Sequence, residues 1–242
     1  MLKLIFALMI AASPALAGDA STYLPLGFSE NGKYFAFAQS GTQDGSGFAY
    51  ASVAVVEVAK NEFAASRSVV IDKGDEHVAP SMALKQAISE VRLSRFGIKA
   101  GENLGEDLLV RLPTDHSPTE RNIFSFEYWA EGGASSVVPK FEVLVASTDG
   151  EDTTDGKYCT ELQGQAPQML TLSIKGLAED DGRLVVLHQD KTLPRIRSCV
   201  SGYKVHRVTA YADSLVIGLA YSGLGFEGPD VRQMVVTGKF QK

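Results

Sequence analysis

"SGTQDGSGFAYASVAVVEV", residues 40–58, is answered near the other end of the chain by "SGLGFEGPDVRQMVVTG", residues 222–238. Each is a loop rich in glycine and acid, set between apolar strands. With Phe35 placed against Ile217, the residues Phe35, Phe37 and Gln39 fall in phase with Ile217, Leu219 and Tyr221. Ala36 and Ala38 then match Gly218 and Ala220. Side chains alternate across a strand, so each strand has one bulky face and one nearly bare face, against which another layer can come close. After Ser-Gly and the loop comes a second strand, with Val55-Val56 in one copy and Val235-Val236 in the other. The match predicts one hairpin used twice. Its loops exceed the roughly two to five residues usual in a β-hairpin, and their glycines permit positive φ.

Long loops on a rigid sheet are where binding concentrates, which makes Asp44, Glu227, Asp230 and Arg232 candidate ligand-binding residues. The plainer alternative is that the glycines form turns and the acids cap exposed amides. If the two hairpins pair or pack side by side, both loops reach one rim.

Eleven segments, from "KYFAFAQ" at Lys33 to "VRQMVVTGKF" at Val231, are short and rich in β-branched or aromatic residues. Gly, Asp, Asn, Ser and Pro separate them, as in antiparallel β architectures. Phe124, Phe126 and Tyr128 alternate with Ser125 and Glu127, which implies one buried face and one wet face. Residues 80–98 break the pattern. Leu84, Ala87, Ile88 and Val91 recur at helical spacing, with Pro80 in the first turn and Gly97 at the stop. The expected fold is mainly β: an antiparallel sandwich or partly closed barrel with one amphipathic helix packed on a sheet face. The alternative is a small or incomplete β-propeller.

"MLKLIFALMIAASPALA", residues 1–17, has a basic head at Lys3, an apolar run, and small residues at Ala15 and Ala17. This is the pattern of a secretory signal peptide, and it is too short for a membrane span. Residues 18–242 are then expected to form a single β-rich domain, periplasmic or secreted. Loss of Lys3 leaves 22 basic residues against 29 acids, a balance that makes nucleic acid a poor partner, and no later segment is apolar for long enough to span a membrane. In an oxidising compartment Cys159 and Cys199 pair as a disulfide; 40 residues of separation fit neither a redox motif nor a zinc site.

Catalytic signatures are sparse. No G-x-S-x-G elbow, HExxH pair, phosphate loop or dinucleotide fingerprint occurs, and no cofactor is implied. His77 and His116 lie beside turns, while His188 and His206 lie on apparent strands. An exported hydrolase with a dispersed site would draw on His188 or His206. Asp149, Glu151, Asp152 and Asp155 form an acidic loop with the oxygen ligands that calcium needs, but their spacing is not that of an EF-hand. Residues 188–207 are the basic counterpart, with Asp190 the one acid among five lysines and arginines. There Arg195 and Arg197 could present planar forks to an anionic ligand. Alternatively, a Cys159–Cys199 bridge would hold the acidic and basic stretches together as mutual partners.

"GFSENGKYFAF", residues 27–37, resembles a blade of a TolB-type propeller, in which a Ser-acid-Asn-Gly-Lys turn joins two strands. Such a fold needs the motif at regular intervals, and the chain lacks that period. "FSENGKYFAFAQSGTQDGSGFAY", "LPRIRSC" and "GFEGPDVR" together resemble an uncharacterised family of predicted secreted bacterial proteins, a domain of unknown function known from alphaproteobacteria. The resemblance implies export and a single domain, and brings no activity or ligand. The expected function is that of a non-catalytic exported binding or envelope-associated protein, whose partner is an envelope component or an anionic ligand. The competing class is the exported hydrolase.

Overall fold

The structure, a computed structural model, describes residues 18–74, 76–112, 123–129, 135–150, 156–177, 182–197 and 199–240. These residues are mainly β, and among them lie three four-stranded antiparallel sheets and no closed barrel. The N-terminal sheet runs β1 (Thr22–Phe28), β2 (Tyr34–Thr42), β3 (Ala49–Glu57) and β4 (Glu62–Ile71) in sequence order. Helix α1 (Pro80–Val91) follows, and then β5 (Glu106–Val110). The distal sheet takes β6 (Ile123–Trp129), β7 (Ser135–Asp149), β8 (Gln168–Gly176) and β9 (Leu184–Gln189), with α2 (Gly156–Gln163) between β7 and β8. The central sheet combines β10 (Gly202–Tyr211), β11 (Ser214–Gly223) and β12 (Asp230–Lys239) with the earlier β5, in the order β12-β11-β10-β5.

The layers stack as the bulky and bare faces require. On β2, Ala36 and Ala38 lie on the helix side, in one buried cluster with Ala83 and Ala87 of α1. Phe35 and Phe37 on the opposite face pack with Phe28 and Val56 against Val216 and Val235 of the central sheet. On β11, Ile217 and Leu219 point on towards Phe141, Val143, Leu170 and Leu172 of the distal sheet. The order is therefore helix, N-terminal sheet, central sheet, distal sheet, a sandwich-like stack with three internal interfaces. Three sheets are fewer than the minimum of about four blades in a propeller. The hairpins β2–β3 and β11–β12 keep corresponding registers: Phe35 pairs with Val56 and Ile217 with Val236.

Several elements depart from the sequence reading. Strand β1 lies outside the eleven expected segments because Pro25 breaks its pattern. The proline is tolerated because β1 is an edge strand with a bulge between Pro25 and Gly27. Gly27 has φ +118°, and a Cβ there would lie 2.1 Å from the Glu102 carbonyl oxygen. That closeness lets residues 101–103 cover the strand: Gly101 N–H donates to Leu26 O and Phe28 N–H to Asn103 O. The helix ends at Val91 rather than running to Gly97. Arg92 adopts the left-handed conformation, and a 3-10 turn at Leu93–Phe96 then buries Leu93. Helix α2 had no signal in the sequence. The Cys159–Cys199 disulfide ties it to the segment after a second 3-10 turn, Arg195–Arg197.

Two predictions test this stack. Ala38→Leu inserts a side chain between β2 and α1 and is expected to destabilise the protein by about 1–3 kcal/mol in urea unfolding. The corresponding enlargement at exposed Ser66 is expected to cost under about 0.5 kcal/mol. Removing the disulfide by Cys159→Ser with Cys199→Ser frees a 40-residue loop, and calorimetry is expected to show a loss of about 4 kcal/mol on the chain-entropy account.

Candidate functional site

The two Gly-rich loops meet. Residues 43–48 connect β2 to β3 and residues 224–229 connect β11 to β12, and the backbone N–H of Glu227 donates to Asp44 Oδ2 at 2.7 Å. The Phe226 ring lies over Gly45, where a Cβ would be 3.1 Å from it. Asp44 thus serves as a clamp between the loops, and the Glu227 side chain is exposed beyond it.

Behind the clamp, Asp230 and Arg232 form a cluster with two residues that the sequence did not single out, Asp19 and Tyr50. Arg232 Nη2 donates to Asp230 Oδ2 at 2.9 Å, and its Nη1 donates to the Tyr50 hydroxyl at 2.8 Å. The same Nη1 lies 2.7 Å from Asp19 Oδ2, as an ion pair rather than an aligned hydrogen bond. The guanidinium also stacks over the Tyr50 ring, 4.7 Å from its centroid, an arrangement that adds cation–π attraction. Tyr50 Oη donates to Asp19 Oδ1 at 3.0 Å, and the Asp19 amide donates to Asp230 Oδ1 at 3.1 Å. Burial raises the Asp19 carboxyl above its ordinary range, although Arg232 and the Tyr50 hydrogen bond pull the other way. Burial likewise raises the Tyr50 phenol. Two acidic side chains, Asp19 and Asp230, thus flank the one guanidinium.

This cluster forms part of the wall of a cleft of about 530 Å3. Tyr50, Ser52 and Ser68 contribute from the N-terminal sheet, Tyr221 and Leu224 from the β11–β12 hairpin, and Ile196 from the second 3-10 turn. Asp230, Arg232 and Arg197 all line it, so residues drawn from both candidate stretches converge there. Of the β2–β3 loop, Gln43 reaches the cleft.

Arg197 is already committed. It is buried, with Nη1 donating to Asp190 Oδ2 at 2.7 Å and Nη2 to Asp190 Oδ1 at 2.6 Å. Nη1 also donates to the Tyr203 hydroxyl at 2.7 Å. Burial alone would raise the Asp190 carboxyl. Hydrogen bonds from His188, Arg197 and the Leu170 amide outweigh that and hold it well below the usual carboxylate range. The partner of Arg197 is therefore the single acid of its own stretch. Arg195 is exposed on the same turn. Glu151, Asp152 and Asp155 lie outside the described residues, while Asp149 ends β7 and accepts a hydrogen bond from Gln168 Nε2 at 2.8 Å. Among the described residues no group of three or more His, Cys, Asp or Glu side chains gathers to hold a metal ion.

The two strand histidines are used differently. His188 Nε2 is 3.0 Å from Asp190 Oδ1, and its Nδ1 is 3.3 Å from Asn61 Nδ2. The amide can only donate, so Nδ1 accepts and the ring proton on Nε2 goes to Asp190. Both nitrogens are thereby engaged, Nδ1 joining the distal sheet to the β3–β4 turn and Nε2 pairing with the neighbouring Asp190. His206 occupies the bulge of β10, with its ring in the space left by Gly218 and edge-on to Tyr23, centroids 4.8 Å apart. Burial, helped by neighbouring Arg207, lowers its imidazole to about 4. The unfolded chain takes up this proton near 6.5, so the neutral ring stabilises the fold fully above that pH, and the contribution fades as pH falls towards 4. His206→Phe is expected to flatten the stability curve between those limits by about 3 kcal/mol in pH-resolved urea unfolding.

No described helix is long and apolar enough to cross a membrane. No curated protein matches the chain. A family model described as "Predicted secreted protein (DUF2259)", a family of unknown function, matches residues 36–239, a span that includes the β2–β3 hairpin from Ala36 onwards, the whole β11–β12 hairpin and the whole cleft lining. The chain belongs to this family of predicted secreted proteins.

Proposed function

We propose that this exported protein is a non-catalytic binding protein of the cell envelope, and that its ligand occupies the cleft beneath the two joined loops. The observation that carries this reading is the pre-set geometry of Arg232. Stacked on Tyr50 and held by Asp19 and Asp230, the guanidinium needs no reordering when a ligand arrives. Exposed Ser68 and half-buried Ser52 and Gln43 add neutral donors and acceptors, and Ile196, Leu224 and Val70 add apolar surface.

The charges select among ligands. Arg197 is spent on Asp190, and Arg232 is shared between two acids, so little positive potential is left inside the cleft. A neutral hydroxyl-bearing ligand, such as a saccharide fragment of the envelope, suits this wall better than a polyanion. Anion recognition would fall to Arg195 on the neighbouring turn. The engagement of both His188 nitrogens, and the burial of His206 away from the cleft lining, favour binding over hydrolysis.

Thermal unfolding with a panel of neutral and anionic wall saccharides tests this assignment. A ligand at 100 times its Kd is expected to stabilise the protein by about 2.7 kcal/mol. Ser68→Trp, which fills the cleft from the exposed strand β4, is expected to abolish the shift, while Arg195→Ala leaves it intact. A shift that survives Ser68→Trp and vanishes with Arg195→Ala would move the ligand out of the cleft. No shift with any saccharide would remove the saccharide assignment.

A further inference from the structure

A second cavity, of about 580 Å3, lies away from the first, where β9, the end of β12 and the β3–β4 turn converge. Its volume is in the range of small-molecule sites. Phe141, Ile174, Val185, Leu187 and Phe240 supply an apolar floor. Lys60, Lys140, Arg183 and Lys239 stand around it, and the described lining includes no acid, in a chain whose formal charge is −6. Lys60 is paired with Glu57 and Lys239 with Asp213, both outside the lining. Lys140 and Arg183 carry no ion pair among the described residues. They lie on either side of β8 at the same end of the sheet: Leu177 N–H donates to Lys140 O, and Gly176 N–H to Arg183 O. Two strand spacings separate their backbones by about 10 Å, within joint reach of long side chains.

The neutral polar groups of the lining are already engaged. Asn61 Oδ1 accepts from the Thr237 amide at 2.9 Å, Asn61 Nδ2 donates to His188, and Thr237 Oγ1 donates to Val58 O at 2.9 Å. A sugar or peptide would find no matching neutral donors and acceptors there. What remains is hydrophobic burial for a tail and positive charge for a head. It also gives a role to apolar Val185 and Val186, which stay partly exposed on an edge strand.

We infer that this cavity binds a single-chain fatty carboxylate, with the alkyl chain on the Phe141–Ile174–Phe240 floor and the carboxylate held by Lys140 and Arg183. Titration calorimetry of the mature protein with dodecanoate tests it, beside acetate, dodecyl alcohol and anionic phosphatidylglycerol vesicles. Saturable binding of one dodecanoate is expected, with the alcohol at least about tenfold weaker, acetate giving no heat, and the double variant Lys140→Gln/Arg183→Gln weakened by about tenfold or more. Both substitutions are on the rim, and an unchanged unliganded Tm would show the fold intact. Val185→Asp, which places a carboxylate on the floor, is a second variant expected to abolish binding. Ser68→Trp, in the other cleft, is expected to leave dodecanoate binding unchanged, so the two sites fail or succeed separately. The inference is overturned if dodecanoate gives no saturable heat, if the double variant binds it equally well, or if the protein adheres to vesicles without taking up the monomeric acid.

Discussion

Strand β12 is hydrogen-bonded to one strand only, and its other edge is buried against the N-terminal sheet, where unpaired amides would be costly. Side chains and residues 19–21 satisfy that edge. Val231 N–H donates to Asp19 O, and Ser21 N–H returns a bond to Val231 O. The Gln39 amide imitates a strand residue: its Oε1 accepts from Gln233 N–H at 2.8 Å and its Nε2 donates to Gln233 O at 3.3 Å. Asn61 takes the Thr237 amide. These contacts decide how the sheets are placed. Gln39 seats the N-terminal sheet on the central one, Asn61 continues through His188 to the distal sheet, and docking of Asp19 builds the pocket wall around Arg232.

The same economy governs the charged groups. Arg197 with Asp190, Arg232 with Asp19 and Asp230, and Arg207 with Asp107 each anchor one element to another. Their guanidiniums hold carboxylates through directed pairs, which gives geometric precision as well as attraction. A cleft built on such pairs is shaped but nearly neutral, whereas Lys140 and Arg183, which have no acid partner among the described residues, give the second cavity a different lining. An acidic protein can thus present two cavities with different ligand chemistry.

Much of this architecture was legible in residue patterns because those patterns are local. Alternation on β2 and β11 announced faces that later proved to be the helix side and the sheet sides of the stack, and the Ser-Gly loops marked the rim where the hairpins come together. The lone acid of the basic stretch, Asp190, was visible, but its pairing with Arg197 was not, since the expected Cys159–Cys199 bridge would bring the more highly charged acidic loop beside that stretch. Pro25 concealed β1, because a proline's cost depends on whether its strand lies at an edge, and that is a property of the assembled sheet.

The sequence by itself determined the class of fold, the start of helix α1 and the cysteine pair, all of which follow from periodicity, turn residues and composition within short windows. Only the tertiary structure decided that Asp19 and Tyr50 would frame Arg232, that Arg197 would be buried and spent, and that the open end of the stack would gather four cations over an apolar floor. The framing of Arg232 depends on side chains that meet across 31 to 213 positions of chain, and the burial of the Arg197–Asp190 pair depends on the sheets that close over it. Neither is encoded in any local run of residues.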